Sequence, residues 1–378
     1  MLDSLVMKNG LRVTLVTGSL GSGGTERIVL WLAGALAQAG HKPTVMTLHD
    51  ATADFYDIPP EVPRIKASQT IGSTYRWFDL AGQFRSIKVL RHTLSESAPD
   101  VVISFIDSVN VQVLQALIGT GIPVIVSEQT DWRYHPVSLR WRLMRQLLYP
   151  YAHSVVVLSS ALEKEVTHRQ TLWRGVRIPN PVPRIMCKDI VKPEQFGQFT
   201  VMAMGRLAPE KGFDLLLHAF RQVADDFPDW TLVIIGEGPE LANLFKLIEH
   251  LALADRVFMA GVVSPPFDWL HAGDLFVFSS LYEGFGLALA EAMACGLPVI
   301  SFDCPSGPRD IIRHGIDGLL VPPNDVNALA GAMKSLMEDP LKRVQLAQRA
   351  PEVCDRFAPD LVFDQWHRLI ISAVNGTA

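Results

Sequence analysis

Short apolar segments alternate with amphipathic stretches along almost the whole chain. Most apolar segments lack strict apolar–polar alternation, as expected for strands that helices cover on both faces. Strands that alternate with helices predict βαβ units, parallel sheets and an α/β fold. The predicted strands are Leu11–Thr17, Pro43–Leu48, Asp100–Phe105, Pro123–Ser127, Ser154–Leu158, Phe199–Met204, Thr231–Ile235, Val257–Met259, Leu275–Phe278 and Pro298–Phe302.

A proline-rich break, "IPNPVPRIMCKDIVKPEQFGQFT", divides this pattern into two halves. Its composition is typical of a linker, and each half begins with a strand that runs into a glycine-bearing loop. We predict an N-terminal Rossmann-like domain over 1–182, a linker over 183–196 and a second Rossmann-like domain over 197–355. Two such doubly wound domains facing each other across a cleft would surround one ligand, because ligands bind outside the carboxyl ends of parallel strands.

The last segment, 356–378, predicts a packed helix, because its apolar residues recur at helical spacing. These residues are Leu361, Phe363, Trp366, Leu369 and Ile370. We expect this helix to pack back on the N-terminal domain.

Composition narrows the functional class only slightly. A formal net charge of −5 over 378 residues provides no global field that would attract nucleic acid. The four cysteines form no CxxC pair and no zinc-type cluster, so we predict free thiols in a reducing compartment. The start of the chain is a poor signal peptide, and no apolar run approaches the length of about 18 residues that indicates a membrane span. We expect a cytoplasmic protein, with peripheral membrane contact left open.

Two acids stand eight residues apart in the segment 280–301, "SLYEGFGLALAEAMACGLPVIS". Glu283 adjoins glycine, whereas Glu291 lies in an Ala/Leu-rich stretch that should be buried, where a carboxylate needs a partner. If all eight steps were helical, the acids would be about 12 Å apart and could hold two ends of an elongated ligand. The alternative is one capping acid and one satisfied core acid.

The same segment predicts a helix whose start suits an anion. Gly284 and Gly286 let the backbone approach a ligand closely, and free N–H groups at the start of a helix favour phosphate. Gly296 and Pro298 predict that this helix stops near Cys295.

A pair of cations follows the first strand of the second half, in "GRLAPEKGFDLLL". Arg206 and Lys211 flank a turn at the carboxyl end of this strand, and together they suit a diphosphate. The alternative is a pair of solvated surface charges.

Two glycine turns are weaker signals. "GSLGSGGTER" matches neither dinucleotide nor P-loop spacing, and so predicts only a tight turn or a loop over a ligand. "IIGEGPE" is a similar turn after a later strand.

In this order, the motifs resemble those of the retaining glycosyltransferases of family 4, which have the GT-B fold. The resemblance covers nearly the whole chain. It rests on "GRLAPEKG", "IIGEGPE", "SLYEGFGLALAEAMACGLPVI", "CPSGPRDII" and "HGIDGLLVPP".

The resemblance implies a catalytic group of Glu283, Arg206 and Lys211. The two cations would bind the donor diphosphate, while Glu283 would face the transferred sugar and Glu291 the ribose. The implied donor-binding residues are Gly23, Gly24, Arg206, Lys211, Gly236, Val262, Glu283, Gly284, Phe285, Gly286, Leu287 and Glu291. The chain contains no Asp-x-Asp, so we expect no metal and no cofactor, with a UDP-sugar as co-substrate.

The acceptor side is less defined. Residues 137–149 predict a helix with Trp141, Met144 and Leu148 on one stripe and arginines elsewhere. Such a basic amphipathic helix suits an anionic membrane or a lipid pyrophosphate, but also an ordinary solvated face. The candidate acceptor-side residues are Asp107, Asn110, Glu128, Arg133 and Arg140. Glu128 occupies a position where many family members carry histidine.

The resemblance therefore implies transfer of a hexose or N-acetylhexosamine from a UDP-sugar to a glycan hydroxyl. The expected acceptor is a lipid-linked oligosaccharide or a surface polysaccharide intermediate, and no nucleic acid is involved. Two alternatives are a UDP-N-acetylhexosamine 2-epimerase, which shares the architecture, and a noncatalytic sugar-nucleotide binder.

Overall fold

The computed structural model describes residues 10–49, 54–67, 80–135, 137–169, 172–185, 193 and 196–377. Cys187, most of the predicted linker 183–196 and the first nine residues lie outside the described residues.

Contacts divide the chain into two compact units. The first contains Met1–Leu158, Leu162–Pro179 and Asp360–Ala378. The second contains Ser159–Ala161 and Asn180–Pro359. Nearly all of the last helix is thus part of the first unit.

The described part of the first unit is built around one parallel sheet of seven strands in the order β3-β2-β1-β4-β5-β6-β7. Its strands are β1 Arg12–Thr17, β2 Lys42–Thr47, β3 Arg64–Lys66, β4 Val101–Phe105, β5 Val124–Ser127, β6 Ser154–Val157 and β7 Gly175–Arg177. Its helices are α1 Gly24–Gln38, α2 Leu80–Glu96, α3 Asp107–Leu117, α4 Leu139–Leu148, α5 Ser160–Arg169 and the last helix, α14 Pro359–Asn375, with a 3₁₀ turn at Tyr149–Tyr151.

The central strands of this sheet are buried along their length, since every residue of β4, β5 and β6 is buried. This burial explains why their sequences are apolar without alternation. The helix α14 covers part of the unit through Trp366, whose ring lies 6.1 Å from that of Phe105. Leu361, one of the apolar residues used to predict this helix, is exposed instead.

The described part of the second unit contains a parallel sheet of six strands in the order β10-β9-β8-β11-β12-β13. Its strands are β8 Phe199–Met204, β9 Trp230–Ile235, β10 Val257–Gly261, β11 Leu275–Phe278, β12 Val299–Phe302 and β13 Leu319–Val321. Its helices are α6 Phe213–Ala224, α7 Leu241–His250, α8 Phe267–His271, α9 Leu287–Ala294, α10 Pro308–Ile311, α11 Val326–Glu338, α12 Pro340–Arg349 and α13 Val353–Arg356, with 3₁₀ turns at Pro209–Lys211 and Ala350–Glu352.

Both sheets reverse their strand order once near the middle. In the first sheet β1 lies between β2 and β4, and in the second β8 lies between β9 and β11. Loops that leave two neighbouring strands in opposite directions open a crevice at this point, which is where open α/β sheets bind ligands. The predicted α/β class with two doubly wound sheets is confirmed.

Three further observations concern the sequence predictions. The strands β3, β7 and β13 were not predicted, and each is a three-residue strand at the edge of its sheet. Of the described cysteines, Cys304 and Cys354 are free thiols, as predicted. Across the described ranges, every helix is too short or too polar to span a bilayer.

Candidate active site

The candidate site of the second unit lies at the carboxyl ends of β8 and β11. These strands are neighbours, with Val201 and Met202 opposite Leu275 and Phe276. The loop after β8 contains Arg206 and Lys211, and the loop after β11 contains Glu283. The strand order therefore brings together two motifs that are more than seventy residues apart in sequence.

A half-buried ion pair joins the two loops. The Lys211 Nζ atom donates a hydrogen bond to Glu283 Oε1 at 2.6 Å, and the side chains are 20% and 13% exposed. The Ser279 hydroxyl donates to the Lys211 carbonyl at 2.9 Å, and the Leu281 N–H donates to the Glu210 carbonyl at 2.8 Å. These bonds hold a cation and a carboxylate side by side, while leaving both accessible to a ligand.

Arg206 has an acidic partner that the sequence reasoning missed. Its Nη2 atom donates to Glu210 Oε1 at 2.6 Å, while its side chain remains 65% exposed. Burial acts to raise the pKa of Glu210, but hydrogen bonds and the charges of Arg206 and Lys211 outweigh it and hold this pKa below its ordinary value. Arg206 lies in a loop and not on a helix, so the helical spacing rule could not have identified this pair from the sequence. Each of the two cations thus has one carboxylate partner.

Glycine is required where the loop after β8 approaches its neighbours, the loops after β11 and β9. Gly212 adopts a left-handed φ of +60°, and an added Cβ would overlap the Ser279 carbonyl oxygen. Gly236, after β9, has a φ of +143°, and its Cβ would overlap the Gly205 carbonyl oxygen. Both positions need a residue without a side chain, because the backbones meet there.

The start of α9 is supported from a third loop. Gly286 has a φ of +108° and immediately precedes the helix, which begins at Leu287. The Ser306 hydroxyl donates to the Glu283 carbonyl, and a Cβ on Gly307 would overlap the Phe285 carbonyl oxygen. The loop after β12 therefore fixes the turn that presents Glu283, Gly284 and Gly286.

The side chain of Phe285 points into the protein. It is 2% exposed, and its ring packs edge-on against Phe357 at 5.2 Å. The backbone of Phe285 is therefore the part that remains for a ligand, together with the backbone of Leu287.

Glu291 is buried on α9, as its sequence context predicted. The condition of the 12 Å estimate for its separation from Glu283 is not met, because the helix begins at Leu287 and the first steps are not helical. The predicted end of the helix is confirmed: α9 stops at Ala294, and Gly296 has a left-handed φ of +80°.

Two predicted donor-site residues lie at the carboxyl ends of the strands on the other side of β8. Gly236 donates its N–H to the Gly261 carbonyl at 2.8 Å, which ties the ends of β9 and β10 together. Val262 follows β10 and is exposed. Every predicted donor-site residue of the second unit therefore lies on the side of the sheet where the strands end, except Glu291, which lies within α9.

Gly23 and Gly24 belong to the first unit. Gly23 caps α1 and Gly24 is its first residue. The Glu26 carboxylate folds back so closely that a Cβ on Gly23 would overlap it, and burial raises the pKa of Glu26.

Two of the five acceptor-side candidates, Glu128 and Asn110, meet in a buried polar cluster at the carboxyl end of β5. Glu128 is fully buried, and the Tyr149 hydroxyl donates to its Oε1 atom. Asn110 Nδ2 donates to the Tyr149 hydroxyl oxygen and to the Ser127 carbonyl, both at 3.2 Å. We name Glu128, Asn110, Tyr149 and Arg145 the Glu128 cluster.

Burial dominates the electrostatics of this cluster. It raises the pKa of Glu128 to about 7, a rise that the Arg145 charge opposes and the Asp107 charge supports. Within the described part of the chain, Glu128 Oε2, Asn110 Oδ1 and Arg145 Nε are buried without a hydrogen-bond partner. A carboxyl group in such surroundings favours its neutral form.

The remaining acceptor-side candidates are less central. Asp107 begins α3 and accepts a hydrogen bond from the Ser108 N–H at 2.6 Å. Arg133 is held by Asp131 through bonds of 2.8 and 2.6 Å, with Glu165 at 3.9 Å. Arg140 lies exposed on α4. Among the described residues, no group of three His, Cys, Asp or Glu side chains could hold a metal ion.

The fold and site define an α/β protein with two doubly wound sheets and a paired-charge site at the switch point of the second. Two family descriptions match its two halves. "Glycosyltransferase Family 4" matches residues 22–184, and "Glycosyl transferases group 1" matches residues 188–353. The chain therefore belongs to the glycosyltransferases with the GT-B fold.

Two individual relatives and one solved structure show the range of the similarity, and their named activities differ. An exopolysaccharide phosphotransferase of Streptomyces coelicolor is 37% identical over 56% of this chain, although the chain spans only 23% of that protein's length. A Campylobacter jejuni α-1,4-N-acetyl-D-galactosaminyltransferase, named for a diNAcBac-PP-undecaprenol-linked glycan, is 27% identical over 97% of this chain and 99% of its own. The solved structure of Anabaena HepE with UDP and glucose has a TM-score of 0.77 at 21% identity, covering 95% of this chain and 98% of that one.

Proposed function

We propose that this chain is a retaining, metal-independent glycosyltransferase that moves a hexose or N-acetylhexosamine from a UDP-sugar to a glycan hydroxyl. The acceptor is a lipid-linked oligosaccharide or surface polysaccharide intermediate, and the enzyme works on the cytoplasmic side of a membrane. The observation that carries the proposal is the Lys211–Glu283 contact at the switch point of the second sheet.

The donor diphosphate binds between the two loops of this site. Lys211 exchanges its contact with Glu283 for phosphate oxygens, and the exposed Arg206 turns from Glu210 to the same group. The backbone N–H groups around Gly286 and Leu287 add the positive end of the α9 dipole. Together these groups stabilise the charge that develops on the departing UDP, which is the work a metal ion does in other transferases.

Glu283 orients the transferred sugar once Lys211 has moved to the phosphates. Its backbone is fixed by Ser306 and by the glycine turn, so its carboxylate accepts hydrogen bonds from sugar hydroxyls at a defined position. Retention follows if the acceptor hydroxyl attacks the face from which UDP departs.

Two known proteins support the choice of substrates. The Campylobacter relative is named for a polyprenyl-diphosphate-linked acceptor, and the HepE structure holds UDP and glucose. The UDP donor and the lipid-linked acceptor are proposed on this basis.

The test is a thermal-shift screen of nucleotide sugars, followed by mass spectrometry of products formed with polyprenyl-diphosphate-linked glycans. We expect a UDP-sugar to raise the melting temperature and the product to be one sugar larger than the acceptor. When the donor is α-linked, NMR should show an α-configured new glycosidic bond, and EDTA should not lower the activity. Glu283→Ala should lower kcat at least about 100-fold. The control Glu249→Ala, an exposed acid on α7, should leave kcat unchanged.

The outcomes separate the alternatives. Release of a free epimer without acceptor would identify an epimerase, and UDP binding without turnover on any acceptor would identify a noncatalytic binder. Near-normal activity of Glu283→Ala would remove Glu283 from the reaction centre.

A further inference from the structure

The helix α4 displays a stripe of exposed leucines that the packing of the first unit does not use. Leu139, Leu143 and Leu147 are 72%, 56% and 65% exposed. Their i, i+4, i+8 spacing places them in one row about 12 Å long. We name these three residues the leucine row.

The opposite side of α4 packs into the core of the first unit. Trp141 and Met144 pack against the buried cluster of the unit, and Leu148 belongs to it, as the sequence predicted. Arg145 is also buried on this side, with its guanidinium 5.9 Å from the centre of the Trp132 ring. Single exposed leucines are ordinary, but three in a row on one helix face form an apolar patch of the kind that marks interaction sites.

The charged residues of α4 itself have one sign. Arg140 and Arg142 are exposed, and they lie about 60° and 100° around the helix to either side of the row. The segment 132–148, "WRYHPVSLRWRLMRQLL", contains no acid, although the whole chain has a net charge of −5. A local cationic border around an apolar row is the charge pattern of a helix that lies in the interface of an anionic bilayer.

We propose that the exposed face of α4 docks on an anionic lipid bilayer, with the leucine row inserted and Arg140 and Arg142 on lipid phosphates. The inference deepens the proposed function and rests on it for the lipid-linked acceptor. Docking would concentrate the enzyme at the surface where that acceptor is embedded.

The test is cosedimentation of the full chain with vesicles of phosphatidylglycerol and phosphatidylcholine, and with phosphatidylcholine alone. We expect binding to the anionic vesicles, weakened by salt. The triple variant Leu139→Gln, Leu143→Gln, Leu147→Gln should lower the partition coefficient at least about 30-fold, because inserted leucines provide most of the apolar area. Glutamine keeps good helix propensity, and an unchanged melting temperature checks folding.

Matched controls use exposed residues elsewhere. Replacing Leu172, Leu341 and Leu361 by Gln removes three other exposed leucines and should leave binding unchanged. Arg140→Glu with Arg142→Glu should lower binding at least about tenfold. The charge-matched pair Lys88→Glu with Arg368→Glu, at exposed helix positions, should have a much smaller effect.

Three results would overturn the proposal. The wild-type protein could stay in the supernatant with anionic vesicles, or the control leucine variant could lose as much binding as the leucine-row variant. Analytical ultracentrifugation could also show that the leucine row serves only self-association of the chain. Transfer to a water-soluble acceptor analogue should be unaffected by the leucine-row triple variant. Vesicle binding without any transfer would contradict the proposed function alone, and transfer without vesicle binding would contradict the docking surface alone.

Discussion

Removing the buried carboxyl of Glu128 should stabilise the protein at high pH, whereas removing a buried charged group usually destabilises a protein. Burial raises the pKa of Glu128 from 4.5 to about 7, with Arg145, Asp107 and Tyr149 as the charged and titratable groups around it. Well below pH 4.5 the carboxyl is protonated in both the folded and the unfolded chain, so its raised pKa does not change the stability there. As the pH rises toward 7, the unfolded chain ionises first, so stability falls.

The magnitude follows from the shift. A rise from 4.5 to about 7 corresponds to about 3 kcal/mol of stability lost above pH 7 relative to pH 4. Glu128→Gln removes this titration while keeping the shape and an oxygen that can accept from Tyr149. At pH 8.5 the variant should therefore be more stable by about 3 kcal/mol, or about 9 °C in the melting temperature of the first unit.

The assay is urea unfolding followed by tryptophan fluorescence at pH 4.5 and pH 8.5, since Trp132 and Trp173 lie in the same unit, 5.8 Å apart. The control Asp131→Asn removes another buried acid, which accepts three hydrogen bonds from Arg133, and should destabilise at both pH values by about 2 kcal/mol. A Glu128→Gln variant that is less stable at pH 8.5 would refute the reasoning, because it would mean that Arg145 keeps Glu128 ionised.

Two further predictions concern the loops of the candidate site. Gly212→Ala should lower the melting temperature of the second unit and weaken UDP binding measured by calorimetry, because the added Cβ would overlap the Ser279 carbonyl oxygen. The control Gly331→Ala, at an open helix position, should stabilise the unit by about 0.5–1 kcal/mol. Equal effects of the two substitutions would contradict this prediction. Glu210→Gln should tighten UDP binding about threefold at low salt by releasing Arg206, and weaker binding would show that Glu210 organises the site instead.

Local sequence patterns predicted the central strands and the start of α9, because buried parallel strands and glycine-opened helices have strong local signals. The strands β3, β7 and β13 had no such signal, since a three-residue edge strand needs no apolar run. Lys211 and Glu283 are 72 residues apart in the sequence, and they meet only because β8 and β11 are neighbours in the sheet. That strand order comes from how the whole sheet packs.

The acceptor side shows a second limit of prediction from the sequence. The sequence located Glu128 after a strand, but its burial depends on Tyr149, which is 21 residues later and reaches it only when the 3₁₀ turn packs over the sheet. The stripe of Trp141, Met144 and Leu148 was predicted correctly. The leucine row was not, because one apolar stripe already accounted for the helix and the opposite face was read as arginines alone.

The central claim is that the cations after β8 bind a nucleoside diphosphate, and calorimetric titration with UDP tests it most directly. Arg206→Ala with Lys211→Ala should abolish measurable UDP binding. Arg221→Ala with Lys334→Ala removes two other ion-paired cations of the same unit and should leave UDP binding intact. Unchanged UDP affinity in the first double variant would contradict the account.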